Sequence, residues 1–381
     1  MLSGATGGRN LVDRRVRVSP TFSKCRGLEV FEAFVTMCIL AAAVPDARPS
    51  EMCRAALLPG FAAETKAGCE HALHSVIRKP DDWTEKPPFC APRPKSALSF
   101  SQAAPGVFLH RGRVAEPDAE NGGDVSNFGF VVGSRSIAVI DSGGARKLGE
   151  EIYLAIRERS RLPISHLVLT HMHPDHVFGA EPLREAGAAV LGQANLPRAL
   201  SDRAEDYRAS YARRIGEAAF LGSRIVAPDR TIAQQEAIDL GGRVLELRAW
   251  PTAHTSTDLT VFDRTSGILF AGDLLFDMHT PALDGSLRGW LAVLSEMKGL
   301  GAPKVVPGHG GPLLDWPQAA APLERYLRVL ESDTKKALDD GLALGEANEV
   351  IGQSESGRWR LFELLNPQNA TAAYTEMEWD P

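Results

Sequence analysis

Four residues able to bind a metal ion crowd into six positions of this chain: His171, His173, Asp175 and His176, in the stretch LVLTHMHPDHVFG from Leu167 to Gly179. Side chains two apart on extended backbone point the same way, so His171 and His173 can reach one ion from the end of the apolar run before them. Pro174 suits a first helical position, and a turn there swings Asp175 and His176 toward a second ion. Imidazole with carboxylate suits zinc, and also iron or manganese.

Three distant residues complete the set. His254, in PTAHTSTD after the strand-like VLELRAW, supplies the third ligand that the first ion lacks. Asp273 falls at the end of the apolar strand ILFAGDLLF, where a carboxylate is costly unless paired or metal-bound. A place between two cations would satisfy it. His309, in VVPGHGGP, follows a buried strand in a glycine-rich turn that lets the backbone bend close to an ion. His171, His173 and His254 would then hold one metal, Asp175, His176 and His309 the other, and Asp273 both. Paired ions about 3.5 to 4 Å apart lower the pKa of a bridging water toward 7 and stabilise attacking and leaving atoms. The chemistry expected is hydrolysis of an ester, thioester or amide of a small organic substrate, with Asp175, His173 and Asp273 as the catalytic group.

The elements that must position these residues begin at Val107. VFLHR, NFGFVV and IAVID read as strands, with a tight turn at Gly133-Ser134, and Ala145 to Arg159 reads as a helix. Asp141, at the end of its strand, is expected to hold the His171 loop by hydrogen bonds or to cap a helix. After the metal loop come the strand AAVLG and a polar helical stretch from Leu196 to Leu221, which carries Tyr207 and Tyr211 one turn apart. Both could edge a substrate cleft, although a solvated helix with two packed aromatics is the commoner arrangement, and Tyr207 is taken as the substrate contact. Arg288, in DGSLRGW, could bind a substrate carboxylate. His279 could line the cleft, whereas His166 reads as structural and Trp290 as core. Pro317 to Asp340 forms an amphipathic helix.

Composition excludes some partners. Among 381 residues the formal net charge is -6, and no long run of Lys and Arg occurs. That argues against a nucleic-acid or anionic-membrane partner. Hydrophobic content of 44% is enough for a core.

All five cysteines, Cys25, Cys38, Cys53, Cys69 and Cys90, precede residue 91. In an oxidising compartment the last four could make two bridges in three possible connectivities, leaving Cys25 unpaired. Residues 1–26 read as disordered or as a leader. Leu28, Phe31, Val35, Cys38, Ile39 and Ala42 recur at helical spacing, and so do Phe61, Thr65, Cys69, Leu73 and Val76. Residues 27–92 are therefore expected to form a small helical cysteine-bearing domain. The proline-rich stretch Lys79 to Lys95 reads as a linker, ending over residues 93–97, with a large α/β domain over 98–381. The apolar run Ala33 to Pro45 is too short to span a bilayer.

The residues His171, His173, Asp175, His176, His254, Asp273 and His309, with Asp141, resemble the motifs of the metallo-β-lactamase superfamily over residues 98 to about 315. That likeness implies an αββα sandwich with metals at one edge and two Zn2+ as cofactors. Within the superfamily, DGSLRGWLAVL (Asp284 to Leu294), LFELLNPQNATAAYTEMEW (Leu361 to Trp379) and the cysteine-bearing region resemble the SoxH-like quinoprotein relay system zinc metallohydrolases, type 2. The narrower likeness implies a periplasmic protein beside a PQQ-dependent alcohol dehydrogenase system; otherwise the location is cytoplasmic. The absence of a cysteine ligand and the acidic residue of AGD resemble glyoxalase II and related thioesterases more than lactamases. A lactam hydrolase, a mononuclear iron oxidoreductase like the persulfide dioxygenases, and a non-catalytic partner of a dehydrogenase are the competing readings.

Overall fold

The computed structural model describes residues 29–40, 51–76 and 87–379. Cys25, the leader expected over residues 1–26 and residues 79–86 of the proline-rich stretch lie outside the described residues.

The amino-terminal region is a small sheet with one helix. β1 (Phe31–Leu40) pairs antiparallel with β2 (Glu51–Ala63) on one side and with β3 (Phe89–Pro92) on the other, and α1 (Lys66–Val76) packs against all three. The helical expectation is thus corrected for β1: FEAFVTMCIL is rich in aromatic and β-branched residues, which favour a pleated, half-buried surface. The second stripe is helical only from Lys66, because Phe61 belongs to β2. Phe89–Pro92, within the stretch read as a linker, is instead strand. Of the three connectivities, Cys38–Cys53 and Cys69–Cys90 occur. The first joins residues directly opposed across β1 and β2, and the second ties α1 to β3.

The next segment builds a seven-stranded sheet. Its strands are β4 (Ser101–Ala104), β5 (Val107–His110), β6 (Phe128–Val132), β7 (Ile137–Ile140), β8 (Ile164–Val168), β9 (Ala189–Gln193) and β10 (Arg230–Ile232). They lie in the order β10-β9-β8-β7-β6-β5-β4. The helices between them are α2 (Arg146–Arg157), α3 (Pro174–Val177), α4 (Ala180–Glu185), α5 (Leu196–Ile215) and α6 (Glu217–Phe220). The long helical stretch expected to Leu221 breaks at Gly216, whose φ of 83° a helix does not allow.

A six-stranded sheet follows, in simple sequence order. It contains β11 (Gln235–Asp239), β12 (Val244–Ala249), β13 (Leu259–Asp263), β14 (Ile268–Phe276), β15 (Lys304–His309) and β16 (Leu314–Asp315). α7 (Leu287–Met297) connects β14 to β15, and α8 (Ala320–Asp339), α9 (Leu344–Asn348) and α10 (Phe362–Trp379) close the chain.

Period-two alternation distributes both faces of each sheet. In β7, Ala138 and Ile140 enter the core between the sheets with Val168, Leu245, Val261 and Phe270, while Ile137 and Val139 pack outward with Ile152 and Ile156 of α2. In β14, Leu269 and Ala271 turn the other way, into a core shared with α7, α8 and α10. Sheet against sheet with helices outside is the αββα arrangement. Among the described residues, no helix is long and apolar enough to cross a membrane.

Buried charge joins the small sheet to the large fold. The fully buried Arg146 of α2 donates to Glu150 at 3.0 Å, Glu181 at 3.2 Å, Glu185 at 2.7 Å and the Leu57 carbonyl of β2 at 2.8 Å. Arg54, also on β2, reaches Glu150 at 2.8 Å. Nearby, buried Glu32 of β1 accepts from Arg93 at 2.7 Å and from the Tyr153 hydroxyl of α2 at 3.1 Å. Removing one member of a buried pair leaves an uncompensated charge and costs about 3–5 kcal/mol. Arg146→Met, which strands Glu185 and leaves Glu150 to Arg54 and Glu181 to Arg224, should therefore lower unfolding free energy by about that much in urea denaturation. A loss below about 1 kcal/mol, the level of a surface pair, would contradict the role given to this cluster.

Candidate metal centre

His171 and His173 lie just beyond β8, and Asp175 and His176 fall on α3, with Pro174 at its first position and His173 before it in extended backbone. The one-turn helix is what swings the second pair away from the first. His254 sits between β12 and β13, and His309 ends β15. Asp273 departs from expectation in one respect: it lies within β14, which continues to Phe276. The ladder with β15 shifts register around Gly272, whose φ is 54°, and this irregularity aims Asp273 inward. Gly308 opposite is obligatory, since a Cβ there would stand 1.8 Å from Asp273 Oδ1.

The seven residues converge. The ligand atoms of His171, His173, His254 and Asp273 lie within 4.8 Å of one another, and so do those of Asp175, His176 and His309. Asp273 faces both groups: it is 3.6 Å from His171 Nε2 and 3.5 Å from His254 Nε2, and 3.2 Å from His176 Nε2 and 3.3 Å from His309 Nε2. Asp175 lies 3.6 Å from His176 Nε2 and 3.3 Å from His309 Nε2.

Each imidazole has one nitrogen committed elsewhere. His254 Nδ1 donates to the Ala282 carbonyl at 2.6 Å, and His309 Nδ1 to the Val125 carbonyl at 2.9 Å. His176 Nδ1 donates to Asp141 at 2.9 Å. Thr170 donates its hydroxyl to Asp141 and so accepts from His171 Nδ1 at 3.0 Å. His173 is reversed: Nε2 donates to Asp284 at 3.1 Å, and Nδ1 faces His254 Nε2 at 3.1 Å. Five lone pairs and two carboxylates are left pointing at one another. His171 Nε2, His176 Nε2 and Asp273 Oδ1 are buried without a hydrogen-bond partner. Such a donor-free set fits divalent cations, and Asp273 is placed to serve two.

The electrostatics agree with that fit. Burial alone would push His309 and His176 down, but Asp273 and Asp175 override it, raising His309 to about 10 and His176 well above its ordinary value. The same histidines hold Asp175 well below the usual carboxylate range although burial opposes it. Burial and His173 push His254 down to about 3, which leaves its lone pair available. A field that draws protons onto two imidazoles also draws cations.

Asp141 performs the first of its two expected roles. Besides His176 it accepts from the Thr170 N–H and hydroxyl, both at 2.8 Å, which offsets a left-handed backbone at φ 59°. Asp258 folds the turn after His254 by accepting from the Thr255 N–H at 2.9 Å and hydroxyl at 2.7 Å.

Among the weaker candidates, half-buried Tyr207 lies at the edge of the centre, accepting from Arg203 at 3.1 Å. Tyr211 is buried against Phe178 and Phe220. Buried His279 stacks near His309, with ring centres 4.8 Å apart, and is pushed down to about 4 by burial. His166 pairs with Ser165 at 2.8 Å on β8, and Trp290 is core, donating to the Leu274 carbonyl at 3.1 Å. Arg288 is in the first turn of α7, with its amide on Glu376 at 3.3 Å. Arg203 also reaches the centre, clasping Asp284 with its two terminal guanidinium nitrogens. Although burial opposes it, His173 and Arg203 hold Asp284 below the usual carboxylate range. Sequence reading missed both residues. Arg203 stands one turn before Tyr207, and Asp284 opens the DGSLRGW motif from which Arg288 was selected.

Comparison with known proteins agrees with this geometry. Residues 121–309 match the family model of the metallo-beta-lactamase superfamily. The chain is 32% identical over 145 residues to the hydroxyacylglutathione hydrolase of Pseudomonas paraeruginosa, covering 38% of this chain and 44% of that protein. It thus spans less than half the length of that relative. It is 29% identical over 242 residues to the acyl-coenzyme A thioesterase MBLAC2 of Gallus gallus, covering 56% of this chain and 82% of that one. Among solved structures, the inverting sec-alkylsulfatase Pisa1 from Pseudomonas sp. shares the fold with a TM-score of 0.58 at 16% identity, covering 73% of this chain and 50% of its own. Through residues 121–309, with the ligand set they carry, this chain belongs to the metallo-beta-lactamase superfamily.

Proposed function

We propose that this protein is a metal-dependent hydrolase that cleaves an acyl group from a thiol carrier, using two divalent ions, most naturally zinc. The observation that carries the reading is the buried set of five outward-anchored imidazoles and two carboxylates with no proton donor among them. Two relatives support the acyl-thiol class, since their names place the acyl group on glutathione or coenzyme A. His171, His173 and His254 would hold one ion, Asp175, His176 and His309 the other, and Asp273 both.

When bound, such ions polarise a carbonyl and acidify water at neutral pH. The remaining work belongs to the chain. Asp141, Thr170 and the carbonyls of Ala282 and Val125 fix which imidazole nitrogens face inward. Asp175, with its side chain 14% exposed, is the carboxylate at the mouth of the centre, where it orients the attacking water and acts as the base that takes its proton. Tyr207, pushed up to about 12 by burial, stays a neutral phenol there and offers a hydrogen bond to the substrate. Water adds to the acyl carbon, the carbon–sulfur bond breaks, and a carboxylic acid and a thiol leave. The two disulfides support an oxidising location such as the periplasm. A link to PQQ-dependent alcohol oxidation rests on the SoxH-like stretches alone.

Dialysis against a chelator should remove turnover of acyl-glutathione and acyl-coenzyme A substrates, and added Zn2+ should restore it. Two zinc ions per chain are the expected elemental content. One iron per chain, with oxygen uptake on a glutathione persulfide, would replace this reading with an oxidoreductase.

Asp175→Ala and His309→Ala should each reduce turnover to background while the circular dichroism spectrum keeps its native shape. Wild-type rates in a variant of verified metal content would sink the mechanism.

A further inference from the structure

The two halves of the metal centre are braced by different parts of the chain except at His171, whose outer nitrogen rests on Thr170 and through it on the Asp141 that also braces His176. For His176 and His309 the outer nitrogens rest on Asp141 and on the Val125 carbonyl. For His254 and His173 they rest on Ala282 and Asp284, two residues apart in the loop between β14 and α7. That loop is bonded back to the His254 turn, through the Asp284 N–H to the His254 carbonyl at 3.0 Å and the Ser286 N–H to the Ala253 carbonyl at 2.8 Å.

Helix α10 holds the loop from behind. Asn369, 1% exposed, accepts from the Leu283 N–H at 2.9 Å and donates to the Pro281 carbonyl at 2.7 Å. Glu376 accepts from the Ser286 hydroxyl at 2.8 Å and the Leu287 N–H at 2.6 Å. Tyr326 of α8 fixes Asn369 in turn, its hydroxyl accepting at 2.8 Å. Both Asn369 and Glu376 lie beyond residue 309, outside the family match.

We propose that the 281–286 loop, braced by α10, sets the affinity of the His171–His173–His254 position for its cation separately from the other position, with Asp284 as the positioning residue for His173. This rests on the two-metal reading above. Accepting the hydrogen bond from Nε2 fixes the tautomer and ring orientation that leave His173 Nδ1 as ligand. Arg203 pairs with the Asp284 carboxylate and keeps it turned toward the ring rather than the cation.

The test is a Zn2+ titration of the metal-free full chain against a chromogenic chelator, for wild type, Asp284→Asn and Asn369→Ala. Wild type should show two binding steps. Each variant should weaken one step by about 10- to 100-fold, the usual cost of losing an outer partner of a metal ligand, and leave the other step in place. Thermal melting of the metal-free proteins accompanies the titration. If Asn369→Ala does not fold, Asp284→Asn decides alone, because Asp284 lies at the half-exposed edge of the centre. Two unchanged steps in Asp284→Asn, or two steps weakened equally, overturn the proposal. Wild type that takes up no Zn2+ would instead remove the two-metal reading on which it stands.

Discussion

Hydrogen-bond acceptors that face one another without a donor govern this structure. Five histidines give their single N–H outward, so the space between them holds only lone pairs and the carboxylates of Asp175 and Asp273. Burying such a set is unfavourable unless positive charge enters it. Without such charge Asp273 and Asp175 raise His176 and His309 against the effect of burial, while burial lowers His171 and His254. The fold has to hold these seven groups in place, and the contacts around them do so.

The two sheets meet this demand by ending at one edge. β8 of the first sheet and β12, β14 and β15 of the second all carry their ligands there, and backbone contacts stitch the edges together. Leu259 donates to the Thr170 carbonyl at 2.8 Å, and Asn127 donates its N–H to the Gly308 carbonyl at 2.7 Å and its side-chain amide to the Pro307 carbonyl at 2.8 Å. Close approach leaves no room for side chains at Gly272 and Gly308, where a Cβ would strike Thr170 or Asp273. The glycines of AGDLLF and PGHG therefore answer to the same crowding as the ligands beside them.

What the sequence revealed follows the range of each signal. The residues that converge were legible because each follows an apolar run, and runs such as IAVI and ILFAG mark strands buried on both faces. The helix boundaries near Arg146 and Asp339 were also within reach of periodicity. The amino-terminal module was not, because a three-stranded sheet depends on pairing between β1, β2 and a β3 that lies some fifty residues away, and FEAFVTMCIL alone is apolar at both helical and strand spacing. Asp284 and Arg203 were passed over for a related reason. Their meaning lies in a contact across 81 residues, and singly each is an ordinary surface charge.

Seen from the centre outward, the regions flanking the family match are attached to opposite halves of it. Arg146 follows the Asp141–Ala145 turn directly, its amide donates to Ser223 at 2.9 Å, and its guanidinium is gripped by the disulfide-stapled sheet through Leu57 and, by way of Glu150, Arg54. That chain of contacts ends at Asp141 and the His176 half. At the other end of the chain, α10 grips the 281–286 loop and so reaches His254 and His173. Among the described residues, neither flank adds a side chain to the two candidate metal-binding groups. Ligand geometry depends on partners one contact further out, and each flank is joined by buried hydrogen bonds to residues beside those partners.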